Sequence, residues 1–241
     1  MDRDEATSVE AASVDQAALP PEPRRTAVSD LTRRGFDLTA SVAGLVILGP
    51  VLALVAALVA ATSPGPVLYR QERVGRHGRP FRIYKFRTMR TDAEASGGQL
   101  TVGDDPRITS LGRWLRAAKL DELPQLLNVV KGDMALVGPR PEVPRYVAMY
   151  TARQRRVLSV RPGITDPASI AYRDEGGVLA ATEDPERAYV ETIMPHKLEL
   201  NLAYLNRRTL AGDVAVILLT LVRVARIGRQ ASASTDGGRS G

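Results

Sequence analysis

The chain has 241 residues, which suits one domain with additions. It has no cysteine and only two histidines, which excludes disulfides, thiolate metal sites and cysteine nucleophiles and disfavours zinc. The net charge is +6, but the first thirty residues hold seven acids and three arginines, so they contribute −4 and the remainder +10. A basic body suits phosphorylated substrates or anionic lipid. With 5% aromatic residues and no nucleic-acid-binding motif, we predict no nucleic-acid partner.

Both ends of the chain have the composition of disordered segments. Residues 1–30 are rich in Ala, Ser, Pro and acids, and residues 229–241 are similarly polar. The N-terminal segment lacks the basic start and short apolar core of a signal peptide. We therefore predict disorder at both ends and ordered structure between them.

An apolar segment, Phe36 to Ala61, follows within a predicted membrane region at 31–62. It exceeds the roughly 20 residues that cross a bilayer core, so the simplest interpretation is one spanning helix. However, Gly49-Pro50 lies at its middle, where proline should kink or break a helix. Arginines also flank both ends, and positive charge is retained on the cytoplasmic side. We therefore predict a re-entrant helix that enters and leaves the membrane on the same face.

The predicted globular domain covers residues 63–228 and begins with a strand, a Gly-bounded turn and a second strand. Alternation in the second strand places Phe81, Ile83, Lys85 and Arg87 on one face. The two cations lie either on a solvated sheet edge or against phosphate, because buried charge requires partners.

Helical patterns appear in three later segments. Ser110 to Ala118 has apolar residues on one side, and Met149 to Ser159 reads as a basic helix that is either solvated or in contact with anionic lipid headgroups. The run at 209–226 carries an apolar stripe that fits a core helix or a helix lying on a membrane. The stripe consists of Leu210, Val214, Ile217, Leu218 and Leu221. The predicted fold is α/β (α+β) and helix-rich: a small sheet with surrounding helices, a re-entrant anchor and amphipathic interfacial helices.

The adjacent acids Asp121 and Glu122 precede a proline and an apolar helical run. Asp121 could simply cap that helix. Cations nevertheless lie close in the sequence, with Arg116 and Lys119 just upstream. A carboxylate, several cations and a helix N-terminus together suit a nucleotide diphosphate and Mg²⁺. Adjacent helical positions point in different directions, so we predict split roles for the two acids.

Two proline turns follow. VGPRPE, from Val137 to Glu142, fixes the backbone around Arg140, and a guanidinium suits bidentate phosphate contacts. RPGIT at Arg161 repeats an arginine before a Pro-Gly turn. Either turn could be purely structural. The set of predicted phosphate- or nucleotide-binding residues is Lys85, Arg87, Arg116, Arg140, Glu142 and Arg161.

LDELPQLLNVVKGDMALVGPRPE, from Leu120 to Glu142, together with KFRTM at Lys85 to Met89, resembles the signature of the bacterial sugar transferases. These are small monotopic polyprenyl-phosphate phosphoglycosyl transferases. The resemblance extends from about Arg33 to Arg226. Related proteins have Ser before the membrane proline, where this chain has Gly49, and larger relatives follow the RPGIT turn with a Trp-containing segment. Here DPASIAYRDE follows, which places the chain with the shorter relatives and leaves the sugar open.

The resemblance implies an enzyme at the cytoplasmic face of the bacterial inner membrane. It would move a sugar 1-phosphate from a UDP-sugar to undecaprenyl phosphate with Mg²⁺ and release UMP. Such a step primes exopolysaccharide, O-antigen or glycoprotein glycan assembly, with downstream glycosyltransferases as possible partners.

In that family the aspartate of the acidic pair is the nucleophile. Asp121 would therefore carry a covalent phospho-sugar, while Glu122 would bind Mg²⁺ or assist the second attack, and both acids are predicted metal ligands. Two alternatives stay open: a one-step transferase with a ternary complex, and a non-catalytic scaffold that binds membrane lipids.

Overall fold

The computed structural model describes residues 27–93, 98 and 100–236. A long N-terminal helix, α1 (Ala27–Thr62), precedes a body in which two two-stranded sheets are surrounded by shorter helices. This arrangement confirms the predicted helix-rich α+β fold. Disorder was predicted for residues 1–30 and 229–241; of these, residues 1–26 and 237–241 lie outside the described residues, whereas residues 27–30 belong to α1.

Helix α1 is apolar and largely uncovered. Over its most apolar window the mean hydropathy is 2.7 and only 11% of the residues are buried, so α1 is not the core helix of the body. Its exposed face includes Val46, Ile47 and Leu54. The backbone stays helical through Pro50, so the helix is not broken there, and a kink at Pro50 stays a prediction. Proline removes only one amide donor, and the remaining hydrogen bonds of a 36-residue helix maintain it.

Both halves of α1 contact the same body. Near its start, the Arg34 guanidinium donates to the carbonyl oxygens of Val129 at 2.7 Å and Val130 at 3.2 Å. Near its end, buried Val55 and Val59 belong to one apolar cluster with Phe86 and Leu115. The body therefore contacts α1 in two regions that are separated by about 37 Å of helix, from a rise of 1.5 Å per residue.

The predicted hairpin is confirmed. Strands β1 (Leu68–Val74) and β2 (Pro80–Phe86) pair antiparallel, with Lys85 opposite Tyr69. Ile83 is 2% exposed and holds the inner face against the body. Lys85 lies on that same face, which directs its amine inward.

Two helices follow and bring the acidic pair to the hairpin. Helix α2 (Ser110–Ala117) ends close to Lys119, whose left-handed backbone (φ 57°) turns the chain into a 3-10 turn at Leu120–Glu122. Helix α3 (Gln125–Lys131) continues from this turn and stops at Gly132, with φ 95°. Its Asn128 amide bonds the backbone of β2 on both sides, accepting from Tyr84 N at 2.9 Å and donating to Arg82 O at 2.8 Å. Helix α3 is thereby fixed to the strand that carries Lys85.

Strands β3 (Ala135–Val137) and β4 (Gly163–Thr165) form a short parallel pair. Just after β3, the backbone at Gly138 lies against Gly163 at the start of β4. A Cβ on Gly163 would lie only 2.1 Å from the Gly138 nitrogen. Glycine is therefore required there, and the two proline turns pack against each other.

The main core lies under the C-terminal half of the body. It includes Tyr146, Val157, Leu179 and Leu198. The helices that frame it are α4 (Pro144–Val147), α5 (Pro167–Ala171), α6 (Glu175–Ala180), α7 (Pro185–Ala188) and α8 (Met194–Asn206), with a 3-10 turn at Gln154–Ser159 and a π-helical turn at Tyr189–Ile193.

The predicted basic helix from Met149 to Ser159 is not formed. The chain turns at Thr151, whose backbone amide donates to the Gln154 side chain at 2.9 Å, and only the 3-10 turn follows. Tyr150 and Leu158 are both buried, and this turn lets both reach the core. Tertiary packing therefore overrides the helical spacing.

Helix α9 (Leu210–Asp236) turns polar side chains toward the body and leaves apolar ones exposed, which is the opposite of a core helix. Asp213 is buried, and Thr220 bonds Thr165 at 2.7 Å, whereas Leu218 and Leu221 of the predicted stripe are 57% and 60% exposed. This orientation fits the membrane-surface alternative better than a core helix. The helix also extends through residues 229–236, past the domain boundary predicted at 228.

Candidate active site

The acidic pair lies on the 3-10 turn between α2 and α3. Asp121 is 5% exposed, and the Glu122 side chain is 12% exposed. The left-handed Lys119 before the turn and Pro124 after it set the direction of this short segment. The two acids are therefore buried on the same turn, but their side chains have different neighbours, which is compatible with the predicted split roles.

Glu122 is held by two cations. The Lys85 amine donates to Oε1 at 2.9 Å, and the Arg140 guanidinium contacts both carboxylate oxygens, with Nη1 to Oε2 at 3.2 Å. Burial alone would raise the pKa of Glu122, but the charges of Arg140 and Lys85 outweigh it and hold that pKa well below its usual range. Glu122 is therefore ionised and fixes both cations beside Asp121.

Asp121 has the opposite environment. Its Oδ1 is fully buried and has no hydrogen-bond partner among the described residues. Burial, followed by the neighbouring Glu122 charge, raises the pKa of Asp121. A buried carboxylate oxygen without a hydrogen bond is costly, and Pro124, not Asp121, precedes the first residue of α3, so the structure does not support helix capping by Asp121.

The remaining cations of this site come from β2 and α2. Burial lowers the pKa of Lys85 to about 8, although Glu122 partly offsets the effect. Arg116 donates from Nε to Thr88 Oγ1 at 3.1 Å. Burial lowers the pKa of Arg116, against the attraction of Asp121. Lys85 and Arg140 thus contact Glu122, and Arg116 lies near enough to Asp121 for the two charges to interact, while their binding of phosphate stays a prediction.

Glu142 lies away from this cluster. Its carboxylate accepts from Arg73 at 3.2 Å and from the Tyr189 hydroxyl, and the adjacent Val143 amide donates to it at 2.8 Å. These contacts anchor the end of the Arg140 turn instead of presenting a group to phosphate. The π-helical turn directs Tyr189 to this position from 47 residues away, and no sequence signal revealed it.

Arg87 and Arg161 are also engaged elsewhere. Arg87 is 7% exposed and donates to the Ser63 carbonyl at 2.6 Å and to the Ser63 hydroxyl at 2.7 Å, closing the C-terminal end of α1. Arg161 donates to the Gly132 carbonyl at 2.8 Å, at the C-terminal end of α3. Both guanidinium groups are bonded to carbonyl oxygens at helix ends, which attract cations. This geometry does not support their predicted contacts with phosphate.

The fit of Mg²⁺ depends on which oxygens are available. No group of three or more His, Cys, Asp or Glu residues is placed to hold a metal within the described residues. Glu122 is already bound by two cations, so Asp121 is the carboxylate that could accept Mg²⁺. Mg²⁺ often binds through one or two carboxylates together with substrate phosphates, so the arrangement fits a metal that arrives with a diphosphate.

Comparison with known proteins extends this picture to the family. The family model described as bacterial sugar transferase matches residues 28–227, which is most of the chain. The chain belongs to the bacterial sugar transferase family. The resemblance based on the acidic pair and the GPRP turn is therefore confirmed.

Several curated relatives of this sugar transferase are similar along most of its length. An undecaprenyl-phosphate glucose phosphotransferase of Komagataeibacter xylinus is 41% identical over 204 residues, covering 80% of this chain and 36% of that protein. The uncharacterised sugar transferase EpsL of Bacillus subtilis is 38% identical, covering 80% of this chain and 87% of EpsL. The exopolysaccharide production protein PSS of Rhizobium leguminosarum is 37% identical, covering 79% of this chain and 93% of PSS.

Not all of these relatives have the same size. The chain spans 36% and 41% of the length of the Komagataeibacter protein and of a Streptococcus agalactiae galactosyl transferase. It spans most of the length of EpsL and PSS. The shared part therefore contains the family domain, with α1 and the acidic pair inside it.

Proposed function

We propose that this protein is a membrane-associated phosphoglycosyl transferase that moves a sugar 1-phosphate from a UDP-sugar to undecaprenyl phosphate. The observation that carries the proposal is the pairing of a buried Asp121, whose Oδ1 has no hydrogen-bond partner among the described residues, with a Glu122 that fixes Lys85 and Arg140. A scaffold that only bound lipid would gain nothing from a buried carboxylate oxygen that lacks a hydrogen bond. Relatives named as undecaprenyl-phosphate sugar transferases support the substrate classes.

The first step uses Asp121 as the nucleophile. A carboxylate oxygen attacks the β-phosphorus, the bond from that phosphorus to the bridging oxygen breaks, and UMP leaves with the electron pair. Lys85 and Arg140 face the developing phosphate charge, which is where positioned cations stabilise such a transition state. Mg²⁺, when bound at Asp121 with the donor, would neutralise further diphosphate charge.

The second step returns Asp121 to its starting state. A phosphate oxygen of undecaprenyl phosphate attacks the enzyme-bound phosphorus, and the bond to Asp121 breaks with its electron pair returning to the carboxylate. Glu122 keeps the cations in place through both steps. Its lowered pKa makes it a weak base while Arg140 and Lys85 contact it, so we favour alignment of cations over proton transfer as its role.

The contacts of α1 support a re-entrant anchor at the cytoplasmic face of the inner membrane. A straight helix between Arg34 and Val59 would be about 37 Å long, more than the ~30 Å hydrocarbon core. One body contacts both regions, and it cannot lie on both sides of a membrane. We therefore propose that α1 enters and leaves on one face, which keeps Asp121 beside lipid-borne acceptor.

A partial reaction tests the proposal. Purified protein in detergent is mixed with single UDP-sugars and Mg²⁺, without lipid, and UMP and intact protein mass are measured. We expect at most one UMP per protein and a mass increase equal to one phospho-sugar, which disappears when undecaprenyl phosphate is added. UMP formation only when lipid is present, with no adduct, would favour the ternary mechanism. No UMP with any donor, together with lipid binding that does not depend on Asp121, would favour the scaffold.

A further inference from the structure

A second residue close to the acidic pair has an unexplained buried group. Gln125 is 1% exposed, and its Nε2 has no hydrogen-bond partner within the part of the chain that the structure describes. An unpaired buried amide donor destabilises the fold, so such groups are rare unless a partner completes them. The other buried amide of α3, Asn128, is fully used in bonds to β2.

The position of Gln125 links it to Asp121. The chain keeps right-handed helical backbone angles through Leu123 and Pro124, so Gln125 lies about one helical turn after Asp121. Side chains four residues apart on a helix are neighbours, and Gln and Asp at this spacing form hydrogen bonds. Five buried side-chain atoms lack partners among the described residues, and two of them, a donor and an acceptor, fall at this one turn.

We infer that Gln125 is a positioning residue for the nucleophile: its Nε2 donates to Asp121 Oδ1 during the reaction. This inference depends on the proposed function. Oδ1 is the buried oxygen of Asp121, which leaves Oδ2 to form the bond to phosphorus. In the intermediate, Oδ1 is then the carbonyl oxygen of the acyl phosphate. When the Oδ2–P bond breaks, the returning electron pair is shared with Oδ1, where the amide stabilises the negative charge.

This role makes the two steps unequal. A donor at Oδ1 stabilises the ionised carboxylate, which is the attacking group in the first step and the leaving group in the second. Its removal should therefore slow discharge of the intermediate more than its formation. A purely structural role would slow both steps together or lower the melting temperature alone.

The test uses Gln125→Met, which retains the approximate size and removes the donor. Single-turnover UMP release measures the first step, and loss of the mass adduct after addition of undecaprenyl phosphate measures the second. We expect discharge to slow at least tenfold, formation to slow less than threefold, and the adduct to accumulate during turnover. Gln125→Glu should be slower still in discharge, because it replaces the donor with a second acceptor.

Val129→Ala is the matched control, since Val129 is a fully buried apolar residue one turn later on the same helix. It should lower the melting temperature and leave the ratio of the two rates unchanged. Equal slowing of both steps in Gln125→Met, or wild-type rates in that variant, would overturn the inference. If Gln125→Met does not fold, Gln125→Asn in the same assay decides by the same ratio. An absence of UMP release and adduct in the wild-type protein would instead contradict the proposed function.

Discussion

The residue that most directly tests the chemistry is Asp121. Asp121→Asn should reduce sugar-phosphate transfer on the order of 10³-fold or more, as expected for loss of a nucleophile. Stability should be unchanged or slightly higher. A buried acid with a raised pKa stabilises the fold only below its unfolded pKa and loses that contribution as pH rises through its folded pKa, so ionised Asp121 costs stability at neutral pH. Transfer assays and thermal melts measure the two effects.

The exposed Asp104 provides the control for this substitution. Asp104→Asn should retain wild-type activity. If a folded Asp121→Asn protein is also active, Asp121 is not the nucleophile.

Lys85 should give the activity an alkaline limit. Its pKa is lowered to about 8, so it carries charge below that pH and loses it as pH rises. If charged Lys85 contacts the donor phosphates, kcat/KM for the UDP-sugar should decrease above about pH 8. Lys85→Arg should be less active at neutral pH but lack this decrease, because arginine stays charged. If kcat/KM of Lys85→Arg still decreases at alkaline pH, the titrating group is a different residue.

Arg140 should not be replaceable by lysine. Its guanidinium contacts both oxygens of Glu122, and a single ammonium cannot reproduce this geometry. We expect Arg140→Lys to lower kcat/KM about tenfold or more, corresponding to ~1.4 kcal/mol of lost transition-state stabilisation. Arg145→Lys, at a half-exposed arginine on α4, should have little effect. Equal kinetics for both variants would contradict a role for Arg140 in binding phosphate.

At the scale of the element, α1 is the proposed membrane anchor. The chain has no cysteine, so Thr32→Cys and Thr62→Cys, at exposed sites near either end of α1, can be labelled without background. We expect a membrane-impermeant maleimide to label both from the cytoplasmic side only. Val46→Cys, on the exposed apolar face, should resist labelling. Labelling of the two ends from opposite sides would show one full crossing.

The hairpin followed the predicted pattern because its two strands pair with each other across a short turn, and α2 followed it because its helical spacing and its Thr109 cap are local. The segment after Met149 did not, because Tyr150 and Leu158 belong to a core built largely from helices later in the chain. Similarly, the predicted stripe on α9 identified a helix but not which of its sides faces the body. Asp213 decides that orientation through ion pairs with Arg33 and Arg208.

For the whole molecule, α1 and α9 leave apolar faces uncovered, and we expect both to contact lipid. Leu218→Cys carries a fluorophore on the 57% exposed face of α9, and in vesicles spin-labelled lipids should quench it strongly. The same label at Val178, an exposed apolar residue of α6, should be quenched much less. Equal quenching at both sites would mean that α9 faces a partner protein or water instead.

The sequence by itself determined the family and the hairpin, and it singled out the apolar segment, Asp121, Glu122 and Arg140 as candidates, because each lies in a short contiguous motif. Tertiary structure decided which cations lie beside Glu122. Lys85 and Arg140 reach Glu122 from 37 and 18 residues away, whereas Arg87 and Arg161 cap helix ends instead. It also placed Glu142 with Tyr189 and left Gln125 Nε2 without a hydrogen-bond partner among the described residues, about one turn after Asp121. A sequence shows which residues carry a charge, but the partner of a buried charge depends on which distant elements pack around it.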